Sequence, residues 1–238
     1  MSGKHSLVIW TLLVAGVVSL IVGAARASNI TYHVEFSDYL GGSTLQWLAK
    51  KGFEPQRDTT NKNRVVISHS GSALVLETKT QAAGLLMSQV DVRTYSKIRI
   101  RWGVDAFPPG ASYAKGVRSE SIMVYVFFGT KKVRSGSLLI PDSPYFIGLF
   151  LCDSDPVGEA FKGRYFQDGG RYVCIDRAHK GEEVITDFPI AASFRQLFGQ
   201  THAPSISGLG IGIDTENAKG NGAAKSFISE IELLVVEI

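Results

Sequence analysis

An all-β fold, a two-sheet antiparallel β-sandwich of jelly-roll-like form, is what this sequence predicts, and three observations predict it. From Val65 onward, short apolar runs rich in β-branched and aromatic residues alternate with Gly, Pro, Ser, Asn and Asp clusters, the punctuation of strands and turns. Two runs show period-two alternation: Ile98, Ile100 and Trp102 oppose Lys97, Arg99 and Arg101, while Ile122, Val124, Val126 and Phe128 oppose Ser121, Met123, Tyr125 and Phe127. Successive strand residues face opposite sides of a sheet. The first run therefore reads as half solvated, and the second as a central strand, apolar on both faces. The third observation is that helix is scarce.

In chain order, strands are expected over 65–68, 73–78, 84–90, 97–104, 121–128, 137–140, 146–152, 172–176, 208–214 and 226–236, enough for two packed sheets. A helix is expected over 44–51. A second, short packing helix is expected near 189–199: Asp187 and Pro189 precede IAASFRQLFG, where Ile190, Phe194, Leu197 and Phe198 form one stripe and Gly199 closes the segment. Its apolar stripe marks it as a plug on one end or face of the sandwich. With no internal repeat and no low-complexity linker, residues 28–238 read as one domain.

The start of the chain carries an address. Lys4 precedes an uncharged apolar run over 7–25 that ends in Ala25-Arg26-Ala27-Ser28, the basic region, apolar core and A-x-A site of a secretory signal, with cleavage expected after Ala27. The run is also nearly long enough to cross a bilayer. Residues 1–27 are thus a signal peptide or a retained anchor. The protein is expected in the periplasm or outside the cell, held at the inner membrane if the leader stays.

Beyond Ala27 the balance is 23 basic against 22 acidic residues, and no basic field is evident that would hold nucleic acid or an anionic membrane surface. Nucleic acid is excluded as a partner. Cys152 and Cys174 lie in strand-like runs, FIGLFLC and RYVCID, on either side of a Gly-rich charged loop. In an oxidising compartment they are expected to form a disulfide across a hairpin, the alternative being two small buried side chains.

Three stretches carry a family resemblance: IRIRWGVDAFPPGASYAKG followed by SIMVYVFFG; GRYVCIDRAHKGEEVITDFPIAASFRQLFG; and SGLGIGIDTENAKGNGAAKSFISEIEL. From Phe36 to Ile238 the chain resembles the secreted bacterial proteins grouped as domain of unknown function 3047. In the third stretch the family's D-x-D-N turn and closing D-I pair correspond to Asp214, Glu216 and Asn217, then Glu230 and Ile231. Where the family commonly places paired acids, this chain reads GVRSES and keeps only Glu120; a Trp common before the helix is absent. The resemblance implies a jelly-roll-like sandwich similar to carbohydrate-binding modules, and no established activity.

Few residues point to catalysis. His33, His69, His179 and His202 are scattered, and no G-x-S-x-G or H-E-x-x-H occurs. Glu120, Asp153, Asp155, Glu159 and Asp168 are the carboxylates available for glycoside chemistry, which depends on a separation that sequence does not fix. In DTENAKGNG, Asp214, Glu216 and Asn217 offer oxygen ligands for calcium, or make an ordinary turn. No other cofactor is expected. GLGIGID lacks the helix a phosphate loop needs and reads as a strand whose glycine face lies close under another element.

Sugar recognition asks for aromatic rings against pyranose faces and polar groups for hydroxyls. Trp102 alternates with core residues. Arg99, Arg101 and Tyr125 are therefore the expected ligand contacts, with Tyr165 in the loop that also carries Phe161 and Phe166. The sequence reading is an exported, non-catalytic envelope protein that binds saccharide or a similar polar ligand. Its alternatives are a membrane-anchored structural or protein-interaction module and a polysaccharide-active enzyme.

Overall fold

The structure, a computed structural model, describes residues 28–236; the expected leader lies outside them. Thirteen strands form two sheets. They are β1 (Ser28–Glu35), β2 (Phe53–Arg57), β3 (Val65–Ser70), β4 (Ala73–Thr78), β5 (Ala83–Val92), β6 (Lys97–Ala106), β7 (Glu120–Val133), β8 (Ser143–Cys152), β9 (Ala160–Phe161), β10 (Gly170–Arg177), β11 (Glu183–Phe188), β12 (Ile206–Asp214) and β13 (Ala224–Val236). The helices are α1 (Thr44–Lys50) and α2 (Ile190–Phe198).

One sheet runs β11-β6-β13-β4-β3, with β1 beside the C-terminal half of β13; the other runs β2-β5-β12-β7-β8-β10-β9. The core lies between them. Ile98, Ile100 and Trp102 from β6 meet Ile122, Val124, Val126 and Phe128 from β7 there, all but completely buried. Burial of each such side chain contributes about 1.5–3 kcal/mol. Trp102 donates its Nε1 proton to Thr186 Oγ1 at 3.2 Å, so its one polar atom enters the core partnered.

The expected sandwich stands, with corrections. β8 and β10 pair in parallel, so the cysteines meet across a parallel pair, joined through an excursion that includes β9, and not across a hairpin. The Cys152–Cys174 disulfide is present, with Cα atoms 5.7 Å apart. Residues 137–140 form no strand: Leu138 and Leu139 stand fully in solvent. Four strands went unanticipated, β1, β2, β9 and β11, all short or outside the region of clear alternation. α2 ends as expected at Gly199, whose φ is +63°. Asp187 does not cap the helix; it lies in β11 and binds Lys97 and Arg99, while Pro189 occupies the cap position. α2 closes one end of the core, with Phe194 4.5 Å from Phe128 between ring centroids.

Candidate functional site

On β7, alternation turns Val124 and Val126 inward and Met123, Tyr125 and Phe127 onto the outer face of the seven-stranded sheet. β12 alongside contributes Gly208, Gly210 and Gly212 to that face, with Leu209, Ile211 and Ile213 in the core. The glycines leave a lane without side chains, onto which neighbouring strands fold theirs. A Cβ on Gly210 would stand 2.9 Å from Met87 Sδ and 3.2 Å from Tyr125 Cβ; one on Gly212, 3.1 Å from Tyr125 Cε2. The half-buried rings of Tyr125 and Phe127 stack at 6.2 Å with 22° between planes.

At one end of this lane the ladder is irregular. From Gly212 to Asp214 on β12, the partner residues on β7 run from Met123 to Glu120, three steps against two. The extra residue is a β-bulge. Strict alternation from Met123 would point Glu120 into the core; the bulge returns it to the outer face, opposite Asp214. There Glu120 Oε2 accepts a 2.7 Å hydrogen bond from the Tyr113 hydroxyl.

Glu120 is only 4% exposed. Burial holds its carboxyl well above the usual range, and the neighbouring Asp214 raises it further, against smaller opposing effects of Tyr113 and Arg57. Burial also pushes the Asp214 carboxyl up to about 6, partly opposed by the Glu216 amide and Arg57. Arg57 has φ +57°, uncommon for a residue with a side chain. Its guanidinium donates to Asp214 Oδ2 at 3.5 Å and Glu216 Oε2 at 2.9 Å. The two carboxylates expected to hold calcium thus share a guanidinium, and Asn217 donates to the Arg118 carbonyl.

Beside the lane, on the same outer face, lies a second apolar cluster of Tyr113, Met123, Phe150, Cys152 and Cys174, joined by Tyr125, Phe161 and Tyr172. Tyr113 stacks on Phe150 at 4.7 Å. Asp155, a candidate acid from sequence, is a positioning residue. Its carboxylate accepts from Ser112 Oγ at 2.6 Å and from the amides of Tyr113 and Ala114, fixing the loop that presents Tyr113. Asp153 and Glu159 lie exposed on the loop beyond β8, and Asp168 on the loop before β10. Tyr165 lies in that second loop, with Arg164 over its ring at 5.4 Å.

Arg99 and Arg101 correct the sequence reading. They stand on β6, in the other sheet from Tyr125, so the tyrosine does not lie beside a basic strand. Their charges are met across that sheet: Arg99 binds Asp187 at 2.7 Å and approaches Glu232 at 3.7 Å, while Arg101 binds Glu230 at 3.3 Å and Glu183 at 3.4 Å. β1 adds His33, 2.8 Å from Glu230. Among the described residues, His33, Glu230 and Glu232 are the metal-capable group, and both glutamates are already engaged by arginine. Sequence reasoning missed Arg57, Phe127 and Tyr172. Phe127's place two residues after Tyr125 was a legible signal; Arg57's approach to Asp214, 157 residues away in the chain, left none.

No protein-family model and no curated protein matches this chain. Among solved structures it is similar to the xyloglucanase domain of NopAA, a type three effector from Sinorhizobium fredii, in complex with cellobiose, at 9% identity over 79% of this chain and 95% of that one, with a TM-score of 0.45. It is also similar to a family 29 carbohydrate binding module complexed with cellulohexaose, at 9% identity over 88% and 92% of the two chains, with a TM-score of 0.34. A further family 29 module shows 9% identity over 87% and 88%, with a TM-score of 0.34. Likeness at this level leaves the ligand to be argued from the residues themselves.

Proposed function

We propose that the outer face of the seven-stranded sheet binds saccharide, and that the protein is an exported, non-catalytic binding module of the cell envelope. One observation carries the reading: two nearly parallel, half-buried rings, Tyr125 and Phe127, beside a lane of glycines. Aromatic faces cover the apolar faces of sugar rings, and the glycines at 208, 210 and 212 let Tyr125, Met87 and Leu85 lie low over β12 as a platform for them. Arg57 and Glu216, exposed at the end of the lane, supply a donor and an acceptor for hydroxyls; Gln89, exposed on β5, supplies both. Titration calorimetry of the protein with soluble envelope polysaccharides tests this, with Tyr125→Ala as the variant expected to lose binding.

A polysaccharide-cleaving reading has one observation in its favour: Glu120, whose carboxyl burial holds well above its usual range, stands opposite Asp214, and glycoside hydrolysis uses an acid with a raised pKa and a second carboxylate. Tyr113 occupies Glu120 in the structure, which favours binding over cleavage. Release of reducing ends from a bound polysaccharide, lost in Glu120→Gln, would reverse that preference.

A further inference from the structure

The β7–β8 hairpin reaches past the end of the sandwich. β12 last pairs with β7 at Phe128, yet β7 continues to Val133 and pairs with β8 through Lys132 and Pro144. Its tip, residues 134–142, holds Leu138 and Leu139 at 105% and 93% exposure. The tip is an ordered display. Ser135, 2% exposed, donates to the carbonyls of Ser137 and Ile140, its amide donates to Asp142, and its carbonyl accepts from Phe166. Leu139's amide is held by Ser137 Oγ at 3.2 Å. Hydrogen bonds thus fix a loop whose Leu138 and Leu139 side chains stand in solvent.

Lys131, Lys132 and Arg134 are exposed at the base of this tip, and none of them makes an ion pair among the described residues. The overall charge balance of the chain conceals this local concentration. Ser28 stands at the same end of the sandwich: it pairs with Val236, whose amide donates to Ser96, whose carbonyl accepts from Ala191 of α2, which packs on Phe128 and Tyr145 at the root of the hairpin. The apolar run over 7–25 precedes that residue in the sequence.

We propose that this end of the sandwich docks on an anionic lipid bilayer, with Leu138 and Leu139 entering the apolar layer and Lys131, Lys132 and Arg134 meeting the headgroups. An exposed apolar tip with three cations at its base suits a soft interface with an apolar layer beneath a negative surface. The docking turns the aromatic face of the seven-stranded sheet sideways to the membrane, accessible to polymer in the envelope.

The test uses the full chain carrying Leu139→Cys, the single free thiol beside the native disulfide, labelled with an environment-sensitive fluorophore and mixed with phosphatidylcholine vesicles with or without phosphatidylglycerol. Blue-shifted emission, quenched by nitroxides on the acyl chains and dependent on phosphatidylglycerol, is the expected result; the same label at Lys219→Cys, at the opposite end, should stay in water. Replacing Lys131, Lys132 and Arg134 by Gln should weaken partitioning of the tip into anionic vesicles by on the order of 100-fold, with an unchanged melting temperature. Emission that stays water-like at position 139 on both vesicle types, even where residues 1–27 tether the protein, overturns the proposal. So does a shift that appears only with an added envelope protein, which would make the tip a protein contact.

Discussion

Glu120 and Asp214 face one another across the β7–β12 ladder because a bulge gives β7 one residue more than its partner. A buried carboxyl, Glu120, thereby stands beside a half-buried one, Asp214, with the guanidinium of Arg57 nearby. Burial is the main reason each is held above its ordinary range; Asp214 adds to the rise at Glu120, while Glu216 and Asp58 add to the rise at Asp214.

That pairing predicts a pH dependence of stability. A carboxyl whose folded pKa exceeds its unfolded value binds protons more tightly when folded, so stability falls as pH rises between the two values. For Asp214 the window runs from the ordinary 3.8 to about 6, and the loss amounts to about 3 kcal/mol. Glu120 extends the fall to higher pH. Thermal unfolding followed from pH 4 to 8 should show a declining melting temperature, and Glu120→Gln should flatten the slope. A melting temperature that climbs through this range would contradict the assignment.

The glycine lane yields a second expectation. Gly212→Ala places a methyl group 3.1 Å from Tyr125 Cε2, so the ring must tilt. Overpacking of this kind costs about 1–3 kcal/mol, and saccharide affinity should fall by more than the melting temperature suggests. Calorimetric titration beside thermal unfolding separates the two effects.

The Cys152–Cys174 bond braces the apolar cluster that supports Tyr113 and Tyr172. It closes a loop spanning 22 residues in sequence, a constraint on the unfolded chain of about 3 kcal/mol. Cys152→Ala with Cys174→Ala should lower stability by that amount in denaturant unfolding. Hydrogen exchange should quicken in 111–118 and 153–169 before the six-stranded sheet responds.

Much of the fold was legible because alternation reports burial directly. The run Ile98, Ile100, Trp102 and the run from Ile122 to Phe128 are both strands with those residues in the core. Residues 137–140 misled the same reasoning: Leu138, Leu139 and Ile140 have strand-like composition, yet Ser135 holds their backbone in a turn. The site was half legible. Tyr125 and the glycine face of β12 follow from period two, whereas the meeting of Glu120 with Asp214 depends on a bulge, a one-residue irregularity that no periodicity announces. Arg99 and Arg101 looked available as ligand contacts because their partners on β11 and β13 are more than 80 residues away in the chain.

Arg101→Gln therefore removes a charge from a compensated row on the six-stranded sheet and should leave saccharide binding unchanged. Because the pair is exposed, its loss should move stability by no more than about 1 kcal/mol. A matched titration of wild type and variant checks both points.

The most direct test of the account is calorimetric titration of the wild-type protein, Tyr125→Ala and Phe127→Ala with a panel of soluble envelope polysaccharides and their oligosaccharides. The account predicts saturable binding of at least one saccharide by the wild type, weakened about 10-fold or more by either substitution, with melting temperatures that show the sandwich intact. No heat from any saccharide, or binding that survives loss of both rings, would contradict it.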